Sequence, residues 1–115
     1  MQSPASGVPT SIIAVPEDAV DELVEVRLVS KIPMPHKAGL QAVLTIGTGS
    51  TTLVRLTQAP ATVYLLGTWV GARARHRSDI ITVTGNRPSN SVRFQVYGDE
   101  PPEVVANYLA TALNG

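Results

Sequence analysis

The residues of this chain best suited to chemistry are the three arginines of the basic segment 73–77. Side chains on an extended strand alternate between faces, so Arg73, Arg75 and Arg77 would share one face of a sheet. A row of guanidinium groups with Trp69 nearby could contact phosphates. The chain has no net charge, however, which makes it a weak candidate for nucleic-acid binding. We therefore rank a solvated face, or pairing with carboxylates, above a nucleic-acid site.

An acidic segment near the N-terminus is the natural partner for these arginines. It holds five of the nine acidic residues: Glu17, Asp18, Asp21, Glu22 and Glu25. Carboxylates in the first turn of a helix interact favourably with the helix dipole, which gives part of this segment a structural explanation. The sequence leaves open whether the two charged segments pair within one chain or between neighbouring subunits.

The sequence carries no pattern typical of catalysis or of cofactor binding. His36 lies among prolines and His76 among arginines, and neither has a carboxylate at ligand spacing. There is no cysteine, which removes thiol nucleophiles and thiolate metal sites. The Gly-Thr-Gly-Ser turn at 47–50 lacks the remaining residues of a phosphate-binding loop. We predict no catalytic, cofactor-binding or metal-ligating residue, and a protein that is not an enzyme.

The last 25 residues give the clearest structural pattern. Val92, Phe94 and Val96 alternate with polar residues, as in a half-buried strand. The acidic and proline-rich segment 98–102 then ends the strand and begins a helix. Apolar residues follow at steps of three and four: Val104, Val105, Tyr108, Leu109, Ala112 and Leu113. Such a stripe must pack on something, and the preceding strands are the available surface.

Further elements follow from periodicity and turn residues. A short helix is predicted over 17–23, and strands are predicted over 24–32, 40–46, 51–56, 62–70 and 79–84. Strands 40–46 and 51–56, joined by the glycine-containing turn, predict a hairpin. The segment 62–70 is apolar on both faces, which favours a central strand. Segments 32–37 and 85–90, rich in proline or other turn residues, predict loops.

The predicted fold class is α+β. It consists of a mainly antiparallel sheet of about five or six strands, with the C-terminal helix packed on one face and a short N-terminal helix. A partly open barrel plugged by the C-terminal helix, as in a pleckstrin-homology-type fold, has the same element order in its second half. That architecture stays an alternative at this stage.

The chain is long enough for one domain, since it has 115 residues. Residues 1–16 are rich in Ser, Pro, Gly and Ala, which predicts a flexible N-terminal arm. Residues 17–115 are predicted to form a single α+β domain. The N-terminus has no signal-peptide pattern, and no apolar run reaches the roughly 20 residues that span a membrane. We expect a soluble protein made in the cytoplasm.

Three segments together resemble the tail-terminator, or tail-completion, proteins of long-tailed bacteriophages. These are the acidic helix 16–23, the run 26–35 that leads from a strand into a proline loop, and the closing strand 92–99 with the helix 103–113. The likeness covers the whole domain in element order, but its motifs are short and unspecific. The N-terminal helix is shorter than is usual in the family, and segment 71–89 has no counterpart.

The resemblance implies a virion assembly protein that is not an enzyme. In that family a small α+β subunit forms a ring, usually a hexamer, that caps the tail tube and joins it to the head connector. It implies tube and connector proteins as partners, location in the neck of the virion, no membrane, and at most non-specific contact with nucleic acid. The expected subunit or partner interface contains Trp69, the five acidic residues of 17–25 and the three arginines of 73–77.

A second hypothesis belongs to a different class of function. The chain would be a monomeric binding module of the barrel-plus-helix kind, with the basic segment 73–77 as a site for an anionic ligand or a peptide. This hypothesis predicts a concave pocket near Trp69 and stabilisation by phosphate. An enzyme would instead require perturbed titratable groups gathered in a cleft.

Overall fold

The computed structural model of the chain describes residues 10–32, 40–47, 49–77, 79–85 and 92–114. In chain order the elements are β1 (Thr10–Pro16), a one-turn 3-10 helix (Glu17–Ala19), α1 (Val20–Glu25), β2 (Val29–Lys31), β3 (Leu40–Ile46), β4 (Thr51–Thr57), α2 (Pro60–Arg77), β5 (Ile81–Gly85), β6 (Arg93–Val96) and α3 (Pro102–Asn114).

The six strands form one mixed sheet in the order β2-β4-β1-β3-β5-β6. The β1–β3 pair is parallel, and the other pairs are antiparallel. The α+β class, the mainly antiparallel sheet, the C-terminal helix and the short N-terminal helix are therefore confirmed. In the described part of the chain the sheet is open, with β2 and β6 at its edges, so the barrel architecture considered above is wrong.

The hydrophobic core lies between one face of the sheet and the helices. Alternate strand positions supply it, because successive side chains of a strand point to opposite faces. These buried strand residues are Ile13, Val15, Val29, Ala42, Leu44, Val54, Leu56, Ile81, Val83 and Val96. The helices add Leu23 from α1, Leu66 and Val70 from α2, and Val105 and Leu109 from α3. The predicted apolar stripe of the C-terminal helix is confirmed as its buried face.

The prediction of a flexible arm over residues 1–16 is wrong for residues 10–16. These residues form β1, which lies inside the sheet and pairs with both β3 and β4. Ile13 and Val15 are completely buried, so the short apolar patch within a polar segment is a core strand. Residues 1–9 lie outside the described residues.

The predicted hairpin between β3 and β4 has the correct strands but the wrong pairing. The intervening turn has Gly47 at a positive φ of 58°, and Gly49 N–H donates to the Ile46 carbonyl at 3.0 Å. β1 nevertheless lies between the two strands, so each pairs with β1 instead of with the other. Neighbouring strands in sequence usually pair, and here an earlier strand occupies the space between them.

The predicted central strand over 62–70 is also wrong, because this segment belongs to the 18-residue helix α2. The helix begins at Pro60, where a missing backbone N–H is tolerated. Leu66, Val70 and Ala74 recur at steps of four and are buried. Tyr64 and Leu65, which precede these residues, are also apolar but exposed, and this produces the apolar pattern on both faces that a central strand would show.

The other boundaries differ from prediction by a few residues. α1 continues to Glu25, and the strand expected over 24–32 is reduced to β2, because Arg27 adopts a left-handed φ of 65° and breaks it. The expected strand over 79–84 is β5, two residues later. Most of each predicted loop, over 32–37 and 85–90, lies outside the described residues.

Candidate functional site

Helix α2 places Trp69, Arg73 and Arg77 along one side, because residues four apart on a helix lie above one another. The strand-based prediction that Arg73, Arg75 and Arg77 share a face is therefore wrong for Arg75. On a helix that residue points away from Arg73. Its Nε–H donates to the Gly98 carbonyl at 3.2 Å, in the connection between β6 and α3.

Arg73 is the centre of the charged cluster. Its Nη2 lies 3.1 Å from Oδ2 of Asp18, and its Nε lies 3.8 Å from Oδ2 of Asp79. The guanidinium carbon lies 5.7 Å from the centroid of the Trp69 ring, within reach of a cation–π interaction. The Arg73 side chain is 11% exposed, while that of Asp18 is 65% exposed. Arg73 thus joins the N-terminal segment and α2 to the residues just before β5.

Trp69 lies one helical turn before Arg73 and makes a second contact with the acidic segment. Its indole Nε1–H donates to Oε2 of Glu22 at 2.7 Å. Asp18 and Glu22 are four residues apart, as are Trp69 and Arg73, so the acidic segment runs antiparallel to α2. The same register continues to Val26 and Leu65, which line a common groove. We call this series of contacts at every fourth residue the ladder. It packs segment 17–26 against the side of α2 that carries Leu65, Trp69 and Arg73, which we call the outer side of α2.

The structure therefore brings four of the nine predicted interface residues together within one chain: Asp18, Glu22, Trp69 and Arg73. Of the other five, Glu17 and Arg77 line depressions beside this group, whereas Asp21, Glu25 and Arg75 do not. Glu17 shares a cleft with Asp18 and Arg73 and donates its backbone N–H to the Ser50 carbonyl. Asp21 lies 3.5 Å from Lys31 Nζ. Glu25, Arg75 and Arg77 are exposed.

Three depressions surround this cluster. The first, of about 240 Å³, lies between the Pro16–Asp18 corner, the β3–β4 turn and Arg73. The second, of about 230 Å³, is lined by Glu22, Trp69, Ala72, Arg73, His76 and Arg77. The third, of about 390 Å³, is the apolar groove, lined by Val26, Leu28, Leu65, Thr68, Trp69 and Ala72. The second depression and the apolar groove share Trp69 and Ala72, so they are continuous along α2.

Several residues of this surface were not predicted. Val26 and Leu65 are 54% and 52% exposed, and Tyr64, next to Leu65 on α2, is 46% exposed. Asp79 adds a second carboxylate to Arg73. The four-residue spacing of 18, 22 and 26, matched by 65, 69 and 73, is the signal that could have revealed the ladder. It is visible only if segment 62–77 is recognised as a helix.

A separate polar contact lies where α3 begins. The Tyr108 hydroxyl donates to Oε1 of Glu100 at 3.5 Å, and its ring stacks on Phe94 with a centroid distance of 4.5 Å. Desolvation raises the pKa of Tyr108 above the usual 10.0, and the hydrogen bond to Glu100 and its negative charge add to the effect. Because Phe94 belongs to β6, the ring stacking gives this contact a structural explanation in holding α3 to the sheet.

Within the described ranges, no three His, Asp or Glu residues lie close enough together to hold a metal ion. No helix among the described residues has the length and hydropathy required to cross a bilayer.

Comparison with known proteins gave no match: neither a family model, nor a curated protein, nor a solved structure is significantly similar to the chain.

Proposed function

We propose that the chain is a virion assembly protein without enzymatic activity, a ring-forming subunit that caps a phage tail tube and joins it to the head connector. The observation that carries this proposal is the closing unit of the fold. β6 is a strand of the main sheet, and α3 packs its buried stripe on that sheet. This is the arrangement that the resemblance to tail-terminator proteins implies for the end of the chain.

A short acidic helix is present over Glu17–Ala19 and Val20–Glu25, as the resemblance implies, and this also supports the proposal. Its contacts, however, change the expected interface. Asp18 and Glu22 make their contacts with Arg73 and Trp69 of the same chain. The contact between neighbouring subunits would then use the charged residues that remain exposed, with Glu17 and Glu25 on one side and Arg77 on the other. A ring contact is heterologous, so two different patches must meet at each interface.

The test is assembly with a tail-tube protein, measured by light scattering and by electron microscopy of negatively stained tubes. We expect a closed ring of several subunits, formed alone or when tube protein is added, and tubes that stop growing when the ring binds. Tubes that elongate unchanged in a molar excess of the protein, with no ring in either condition, would contradict the proposal.

A second candidate function is an anion- or peptide-binding module. The observation that favours it is the depression of about 230 Å³ beside Trp69, which Arg73, His76 and Arg77 help to line. A concave pocket near Trp69 is what this hypothesis predicts, although Glu22 of α1 also lines the depression and opposes an anion. Phosphate should then raise the melting temperature of the wild type and leave the double variant H76A/R77A unchanged. Equal shifts in both proteins, or none, would count against a phosphate site in this depression.

A further inference from the structure

A depression of about 470 Å³ lies beside the edge strand β2, and we call it the β2 depression. It is larger than each of the three depressions around Arg73. Three cations and two hydroxyl groups line it, and none of the described residues that line it is acidic. These polar residues are Arg27, Lys31, Arg55, Ser30 and Thr57. The lining is therefore positively charged, unlike that of the depression beside Trp69, to which Glu22 contributes a carboxylate.

The two arginines of the β2 depression have no partner among the described residues. Neither the Arg27 nor the Arg55 side chain makes an ion pair or a hydrogen bond within that part of the chain. Lys31 differs, because its Nζ lies 3.5 Å from Oδ1 of Asp21. Both of these side chains are mostly exposed, so the pair contributes little stability. Three cations beside one carboxylate leave two positive charges available to a ligand.

The backbone of Arg27 adopts a conformation that usually belongs to glycine. Its φ is 65°, in the left-handed region that a Cβ makes unfavourable. Arg27 N–H donates to the Val24 carbonyl at 3.0 Å, and Leu28 N–H donates to the carbonyl five residues earlier at 3.0 Å. These bonds form the Schellman motif at the end of α1, in which glycine is the commonest residue at the left-handed position. The motif requires no side chain there, so it does not explain an arginine.

The strand register places the second arginine beside the hydroxyl groups. Ser30 of β2 lies directly opposite Arg55 of β4 in their antiparallel pair, so the two side chains share one face of the sheet. Thr57 follows Arg55 by two residues on β4 and shares that face. Arg27 reaches the same depression from the turn between α1 and β2. Groups from one turn and two paired strands therefore surround a single concavity.

We propose that the β2 depression binds a doubly charged phosphate group, with Arg27 and Arg55 as its main contacts. A planar guanidinium group donates two parallel hydrogen bonds to a phosphate. A phosphate monoester carries a charge of about −1.5 to −2 at pH 7, which matches the two positive charges available. The hydroxyls of Ser30 and Thr57 supply further donors. The proposal does not depend on the tail-tube function, because it concerns a site within a single copy of the chain.

The test is titration of the protein with inorganic phosphate, measured by calorimetry and by the melting temperature. Sodium chloride keeps the ionic strength constant, which separates binding from general screening. We expect a dissociation constant of about 1 mM and a melting temperature that rises with phosphate. Acetate, which carries a single charge, should raise the melting temperature less at the same concentration.

Substitutions locate the site. Arg27→Gly and Arg55→Gln should each raise the dissociation constant for phosphate by about tenfold. Without phosphate, Arg27→Gly should melt at or above the wild-type temperature, because glycine is the usual residue at this position. If Arg27 served only the dipole of α1, the same substitution would change stability and leave phosphate binding unchanged. Arg93→Gln is the control, because Arg93 is an exposed cation on β6, at the opposite edge of the sheet. It should leave phosphate binding unchanged.

The double variant H76A/R77A separates this site from the depression beside Trp69. It should retain the full effect of phosphate, and loss of the effect in that variant would assign the phosphate to the other depression and overturn the proposal. So would equal dissociation constants for wild type, Arg27→Gly and Arg55→Gln, an equal effect of acetate, or no effect of phosphate at constant ionic strength. Formation or absence of a ring bears on the tail-tube function alone, so the two proposals fail separately.

Discussion

At the scale of single residues, Arg73 has the most contacts of any charged side chain near α2. It faces two carboxylates, those of Asp18 and Asp79, and lies near the Trp69 ring. Because the Arg73 side chain is largely buried, removing it exposes the ring and leaves the carboxylates without a partner. The stability lost on removing Arg73 should therefore exceed that of an exposed surface ion pair, which stabilises a fold by roughly 0–1 kcal/mol.

Arg73→Ala should therefore lower the free energy of unfolding by about 1–3 kcal/mol. Arg77→Ala is the matched control, because it removes the same type of charge from the same side of α2, one turn later, but from an exposed residue. It should change the free energy of unfolding by less than about 0.5 kcal/mol. Urea denaturation followed by tryptophan fluorescence measures both. Equal effects of the two substitutions would mean that the Asp18–Arg73–Trp69 cluster is not structural.

Tyr108 gives the fold a dependence on alkaline pH. A group whose pKa is raised in the folded state contributes stability below its unfolded pKa and loses that contribution as pH rises through the folded pKa. The pKa of Tyr108 is raised by desolvation and by Glu100. Wild type should therefore lose stability above pH 10.0 relative to Tyr108→Phe, which has no hydroxyl to ionise.

Urea denaturation of both proteins at pH values from neutral to strongly alkaline measures this difference. Tyr97→Phe is the control, because Tyr97 is 45% exposed and its hydroxyl donates to Gln95 at 2.9 Å near the surface. Its stability should follow that of the wild type. A constant difference between wild type and Tyr108→Phe across the whole pH range would contradict the raised pKa.

At the scale of elements, the contact between α2 and α3 depends on one small residue. A Cβ added to Gly67 would lie 2.9 Å from the backbone nitrogen of Ala106 in α3. Backbone cannot move aside as a flexible side chain can, so the helices would have to separate. One turn later, a Cβ on Gly71 would meet Val105 Cγ2 at 3.8 Å, an ordinary contact.

Gly67→Ala should therefore destabilise the fold by about 1–3 kcal/mol. Gly71→Ala should stabilise it by up to about 1 kcal/mol, because alanine has the higher helix propensity. Thermal unfolding by circular dichroism measures the two melting temperatures. The critical result is that the melting temperature falls for Gly67→Ala and rises for Gly71→Ala. A Gly67→Ala variant as stable as Gly71→Ala would show that α2 and α3 do not approach each other this closely at Gly67.

The strand β1 can be tested by truncation. A chain that begins at residue 17 retains everything that the sequence predicts for the domain, but it lacks a strand with two pairing partners and the buried Ile13 and Val15. We expect it to be unfolded by circular dichroism. A cooperatively folded truncated chain would restore the interpretation of residues 10–16 as an arm.

Local pattern was sufficient to predict some elements of this fold and insufficient for others. The closing strand and helix follow from alternation and from the three- and four-residue steps between Val105, Leu109 and Ala112. Helix α2 was missed because Tyr64, Leu65 and Trp69 are apolar although they lie on its outer side, which hides the helical period. β1 was missed because its position between β3 and β4 depends on long-range pairing, which no local pattern contains.

The candidate site was predicted in composition but not in geometry. Pairing of the acidic and basic segments is one of the predicted alternatives, beside a solvated face, and the structure pairs Asp18 with Arg73 and Glu22 with Trp69 inside one chain. Arg75 was grouped with the others because a strand was assumed in place of a helix. Val26 and Leu65 were missed because exposure depends on what packs beside them, and the sequence alone does not give that.

At the scale of the whole molecule, the proposed ring joins copies of the chain through exposed charges, Glu17 and Glu25 on one side and Arg77 on the other. Because these contacts pair opposite charges, association should weaken as salt screens them. The Debye length falls from about 10 Å at 0.1 M to about 3 Å at 1 M.

The measurement that tests the account most directly is the solution mass of the wild-type protein by light scattering, across concentration and salt. The account predicts a mass that rises above the 12.1 kDa of a single copy as concentration increases, more readily at low salt than at high salt. A mass of one copy under every condition, together with stabilisation by phosphate that H76A/R77A abolishes, would contradict it and favour the binding module.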